Sequence, residues 1–108
     1  MKKGEIWLLE FPFRKGKEQS GLRPAIVLAD VHKDLVTVIP LTSNMSALRF
    51  ENTLEIKCSN ENNLNADSVA LVFQTQTIDK RRFINKIGKA ENEHVKSIDD
   101  SLRKMFQL

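Results

Sequence analysis

Helical periodicity is confined to one end of this chain, and that restricts the folds open to it. From Asn92 onward Val95, Ile98, Leu102 and the pair Met105/Phe106 recur every three or four residues, the spacing of an amphipathic helix. The remaining apolar stretches are short and separated by polar, glycine- or proline-bearing segments. Glu5–Phe11, Pro24–Ala29, Leu35–Leu41, Thr53–Cys58, Ser68–Ile78 and Phe83–Ile87 read as strands, the fifth long enough to bend midway. Asp30–Asp34 is a short turn, so the strands on either side form an antiparallel hairpin. Asp79 is placed to cap a brief helical turn over Lys80–Arg82. Five or six short strands and one terminal helix predict a mainly β fold: a small, curled, barrel-like antiparallel sheet with the helix packed on it.

A length of 108 residues, without internal repeat or linker, fits one compact domain over residues 1–108. No apolar run reaches the length of a membrane span, and Met1–Glu5 lacks a signal-peptide core, so a cytoplasmic protein is expected. The single cysteine, Cys58, excludes an intramolecular disulfide and reads as a half-buried strand residue. His32 and His94 have neither a carboxylate nor a second histidine at metal-ligand spacing and read as solvated. No metal site, phosphate loop, nucleophile elbow or dinucleotide fingerprint is present, and no cofactor is expected.

The charged residues are more informative than the net charge of +3. Lys80, Arg81, Arg82, Lys86 and Lys89 share a ten-residue window without an acid, while Arg14, Lys15, Lys17 and Arg23 cluster on the long polar loop Pro12–Leu22. Brought together they form a track for a polyanion; held apart they are two solvated faces. Arg23 stands out within them. Pro24 restricts it to extended backbone, Gly21 supplies turn freedom just upstream, and Glu18 is close enough in sequence to orient the guanidinium. An arginine held this way is a preset fork for a phosphate or carboxylate. Thr42-Ser43-Asn44 leaves the apolar strand Leu35–Leu41, either as a polar turn satisfying local backbone or as hydroxyl donors beside a phosphate. Ser59–Asp67, with Asn60, Asn62, Asn63 and Asn65, reads as turn chemistry.

These residues resemble the MazF/PemK family of toxin endoribonucleases from bacterial toxin–antitoxin pairs. Gly4-Glu5-Ile6-Trp7 is similar to the family's opening, and Gly16 through Val27 to its signature G-x-E-Q-x-G-x-R-P followed by an apolar strand. Pro40-Leu41-Thr42-Ser43 matches a second short motif; Asp67–Leu71, Gln74, Thr77-Ile78-Asp79 and Arg82 resemble a third block. The resemblance spans essentially the whole chain.

It implies an SH3-like β-barrel that dimerises around a groove. It also implies metal-independent cleavage of single-stranded RNA, such as mRNA, at short sequence-defined sites by attack of the ribose 2′-hydroxyl. Carried onto this sequence, the family's catalytic arginine, threonine and glutamate fall on Arg23, Thr42 and Glu18. RNA contacts are expected from Arg14, Lys15, Lys17, Gln19, Ser43, Gln74 and Arg82, with base readout from Phe13, Arg14 and the Thr42–Asn52 loop. Two positions depart from the family: Phe73 stands where many members carry an acid, and Gln76 where a basic residue is common. The implied partners are a second copy of the chain and a cognate antitoxin with an acidic, partly disordered tail. Two other functions fit such a barrel: a gyrase poison of the CcdB type, and an RNA-binding module without cleavage.

Overall fold

A computed structural model describes residues 1–11 and 21–108. Its strands are β1 (Glu5–Phe11), β2 (Gly21–His32), β3 (Leu35–Thr42), β4 (Thr53–Ile56), β5 (Ser68–Leu71), β6 (Gln76–Asp79) and β7 (Phe83–Lys89), followed by the helix α1 (Asn92–Phe106). Short 3₁₀ turns cover Met45–Arg49, Val72–Gln74 and Lys80–Arg82. Strand pairing is antiparallel, in the order β4-β5-β3-β2-β1-β7, with β6 added to β3. This is the mainly β architecture with a terminal helix that the periodicity predicts.

The sheet curls because its long pairs are irregular. The β2–β3 register shifts between Val27 and Ala29 and again between Asp30 and His32; β1–β7 shifts twice as well. Each shift adds local twist and bends the strand. Gly21 opens β2 with φ +115°, a conformation that favours glycine, which bears out the turn freedom read from the sequence.

Several element boundaries differ from the sequence reading. The Asp30–Asp34 turn shrinks to Lys33–Asp34, because β2 continues to His32. The expected Ser68–Ile78 strand is broken: the Val72 carbonyl accepts from both the Thr75 amide (3.2 Å) and the Thr75 hydroxyl (2.7 Å), closing a turn that separates β5 from β6. That hydroxyl offers the backbone a local alternative to the ladder. The Thr42–Asn52 loop contains a 3₁₀ turn whose cap is Asn44, accepting from Ser46. Asp79 caps Lys80–Arg82 as expected, accepting from the Arg81 amide at 2.8 Å. Cys58 is exposed beyond the end of β4, not half-buried within a strand. His32 is exposed, but His94 is partly buried, 3.9 Å from the carboxylate of Glu91, the N-cap residue of α1 three positions back.

β3 is buried on both faces. Ile39 and Leu41 join Ile6, Ile26, Ile56 and Val72 under α1, where Ile98 is fully buried and Val95, Leu102 and Met105 pack around it. Val36 and Val38 enter a second cluster with Leu9, Phe11, Val27 and Ile78. Alternating side chains of one central strand therefore fill two cores. Phe106 is 57% exposed, so Met105 alone of that pair faces the core.

Candidate functional site

A cavity of about 640 Å³ opens at the end of the sheet where β2 begins and β3 finishes. Arg23, Thr42 and Ser43 line it. The pair arises from strand register. Ala25 lies opposite Pro40, and continuing that antiparallel register by two residues brings Arg23 level with Thr42. Arg23 also pairs with Leu9 of β1, so its backbone is held within the sheet. Burial disfavours the Arg23 cation and holds its pKa below the ordinary arginine value, although arginine stays charged at neutral pH. Among the described residues no carboxylate pairs with it. Thr42 Oγ1 accepts the Asn44 amide at 3.2 Å, which leaves the hydroxyl proton to donate elsewhere.

The cavity has other walls. The ladder runs from Asn85 on β7 to Leu8 on β1 and on to Pro24 on β2, and all three residues line the space. The segment between β4 and β5 supplies Asn63, Leu64, Asn65 and Ala66, and Lys86 and Ile87 complete the β7 side. That segment reaches across to β7: Lys89 donates its amide to Glu61, and Asn63 Nδ2 donates to the Ile87 carbonyl at 3.2 Å. Asn63 holds φ 56°, a left-handed turn that asparagine tolerates.

A buried amide fixes this closure. Asn62 is 0% exposed; its Oδ1 accepts the amides of Ser59 (2.9 Å) and Leu64 (3.1 Å), and its Nδ2 donates to Lys57 O (2.8 Å) and Glu91 Oε1 (3.2 Å). The Ser59 hydroxyl donates to Glu91 Oε2. Burial acts against the Glu91 charge, but the hydrogen bonds from Ser59, its own backbone amide and Asn62, with nearby His94, outweigh it and hold the carboxyl below its ordinary 4.5. One carboxylate at the head of α1 thus anchors a cavity wall.

Of the site residues read from the sequence, the structure brings together Arg23, Thr42 and Ser43. Arg14, Lys15, Lys17, Glu18 and Gln19, with Phe13, lie outside the described residues. Gln74 is exposed on the 3₁₀ turn after β5, and Arg82 is half-buried at the end of the 3₁₀ turn that precedes β7; neither lines the cavity. The Lys80–Lys89 basic window is partly neutralised by acids outside it. Lys80 meets Asp30 at 3.2 Å, Arg81 meets Asp79 at 3.0 Å, and Lys86 meets Glu5 at 3.4 Å. At the departures from the family pattern, Phe73 packs edge-on against Phe50 (centroids 5.9 Å), whose ring also carries the Arg49 guanidinium at 4.4 Å, and Gln76 donates to the Gln74 carbonyl.

Sequence reasoning missed Asn63, Asn65, Asn85 and Lys86 as cavity residues. The run of asparagines was a usable signal, but only the curl of the sheet brings Asn85 to the same space. Among the described residues no group of three or more His, Cys, Asp or Glu is placed to hold a metal ion, and no helix is long and apolar enough to cross a membrane.

Comparison with known proteins follows the same outline. An endoribonuclease MazF from Staphylococcus saprophyticus is 26% identical over 106 residues, covering 94% of this chain and 88% of its own. The crystal structure of MazF from Deinococcus radiodurans superposes with a TM-score of 0.76 at 22% identity, over 98% of this chain and 94% of that one. A mycobacterial endoribonuclease in complex with its cognate antitoxin gives 0.67 at 13% identity, over 98% and 92%. The family profile described as PemK-like, MazF-like toxin of type II toxin-antitoxin system matches residues 2–106. The chain therefore belongs to the PemK-like, MazF-like toxins of type II toxin–antitoxin systems.

Proposed function

We propose that this toxin is an endoribonuclease that cuts single-stranded RNA at short sequence-defined sites without a metal ion, acting in the cytoplasm as a homodimer restrained by a cognate antitoxin. The observation that carries this reading is the convergence of Arg23 and Thr42 on one cavity. The endoribonuclease names of relatives and the antitoxin complex of one of them support it.

In the proposed reaction the ribose 2′-oxygen attacks the adjacent phosphorus in line and the bond to the 5′-oxygen breaks. The 2′-hydroxyl proton is lost to a base and the departing 5′-oxygen takes one up. The products are a 2′,3′-cyclic phosphate and a 5′-hydroxyl. Negative charge accumulates on the non-bridging oxygens, and a preset, partly desolvated guanidinium stabilises it more strongly than one in bulk water. Thr42, whose oxygen already accepts from Asn44, donates its proton to the phosphoryl group and fixes its position. Glu18 is assigned the orientation of Arg23 or the acceptance of the 2′-proton.

Incubation of the purified protein with a long defined RNA in EDTA tests this reading. Cleavage leaving 5′-hydroxyl ends is expected. Intact RNA, or cutting that requires Mg²⁺, contradicts it, and recovery of a topoisomerase in place of RNA cleavage favours a gyrase poison.

A further inference from the structure

We infer that the side-chain amides of Asn65 and Asn85 read the edge of an unpaired nucleobase next to the scissile phosphate; this rests on the endoribonuclease reading of the same cavity. The cavity has a cationic corner and a neutral one. Arg23, Thr42 and Ser43 supply donors suited to phosphate oxygens, whereas Asn65 and Asn85 present uncharged amides. Lys86 lies beside them but is held by Glu5 at 3.4 Å, so it adds little free positive charge there.

Four of the five asparagines on this loop and strand divide by what their side chains already do. Asn62 is buried and saturated, and Asn63 spends its Nδ2 on the Ile87 carbonyl. Asn65 is exposed, and among the described residues its side chain makes no hydrogen bond. Asn85 is exposed too and makes only a long contact, Nδ2 to the neighbouring Lys86 carbonyl at 3.4 Å, which leaves its oxygen free. Two amides in the cavity wall therefore keep donor and acceptor capacity that the fold does not use.

Asn85 stands two strand positions from Pro24, through Leu8, or about 10 Å at ordinary strand separation, and Arg23, next to Pro24 in the chain, lines the same cavity. An amide offers a donor and an acceptor side by side, as a base edge does, and being neutral it does not compete for the phosphate. Only a single strand can present that edge, because its bases are free to splay into the pocket.

Mapping every cut end on one long unstructured RNA, for wild type, Asn65→Ala, Asn85→Ala and the corresponding Asp variants, tests the assignment. The Ala variants are expected to keep cutting while the ratio of preferred to next-best sites falls roughly 5-fold or more. The Asp variants, having lost a donor and gained an acceptor, are expected to shift preference to a different base at that position. Unchanged site proportions in all four variants overturn the assignment alone, as does complete loss of cleavage by folded variants of both series. A wild-type protein that leaves the RNA intact overturns the endonuclease reading, and the base-reading assignment falls with it.

Discussion

Gly88 and Asn62 meet backbone to backbone where the sheet closes on itself: a Cβ at position 88 would stand 2.5 Å from the Asn62 carbonyl oxygen and 2.7 Å from that of Glu61. The neighbouring amide of Lys89 donates to Glu61, so neither chain segment can retreat without losing a hydrogen bond. Gly88→Ala is therefore expected to cost about 1–3 kcal/mol through overpacking. A thermal melt reads this as a fall in Tm of about 4 °C or more. An unchanged Tm contradicts the close approach.

Asn62→Ala tests the buried anchor on the other side of that contact. It leaves the buried Leu64 amide and the partly buried Ser59 amide and Lys57 carbonyl without their partner. Each unsatisfied group costs about 1–3 kcal/mol, so a loss of at least ~2 kcal/mol is expected in denaturant unfolding. RNA cleavage should fall as well, because the same segment carries Asn63, Leu64 and Asn65 into the cavity. Wild-type stability in this variant contradicts the role given to the amide.

Glu91 adds a pH dependence. Its folded pKa lies below the ordinary 4.5, so the carboxylate contributes stability that is present above that value and lost as pH falls through the folded pKa. At neutral pH the wild type is expected to melt higher than Glu91→Gln, with the gap narrowing as pH falls below 4.5 and the carboxylate takes up its proton. Melts from pH 7 to pH 3 check this. A gap that stays constant across the range contradicts it.

How far the sequence revealed this molecule depended on whether the cause was local. The helix announced itself through Val95, Ile98 and Leu102, and the Asp79 cap through its neighbours, because both depend on residues a few positions apart. Gly21 and Pro24 likewise constrain the backbone at Arg23 through local sequence alone. The break after β5 was hidden, because Val72–Gln74 is apolar enough to continue a strand and nothing in the local pattern marks Thr75 as the residue whose hydroxyl closes the turn. The pairing of Lys80 with Asp30 and of Lys86 with Glu5 depends on strand neighbours far apart in sequence, so a window free of acids was not a free positive face. Asn85 entered the cavity for the same reason, through the curl of β7.

Cys58 is exposed, yet its thiol is held back from ionising. Its thiol is pushed above the ordinary 9.0, first by the hydrogen bond to the Asp67 carboxylate and then by desolvation, while the Cys58 amide donates to Asp67 at 2.9 Å. Thiolate, not thiol, is the nucleophile, so alkylation by iodoacetamide at pH 7.5 is expected to be slower than for a free cysteine. Asp67→Asn should accelerate it. Equal rates in the two proteins contradict the carboxylate's effect on the thiol.

The most direct test of the Arg23–Thr42 site is the single-turnover cleavage rate of one defined RNA in EDTA, compared between wild type, Arg23→Ala and Thr42→Ala. Loss of a donor to the developing phosphoryl charge typically costs about 10²–10³ in rate, and a loss of that order is expected for Arg23→Ala with the fold intact by circular dichroism. Thr42→Ala should also lose rate. Wild-type rates in both folded variants contradict the account, because the chemistry would then lie elsewhere than the cavity where β2 begins and β3 ends.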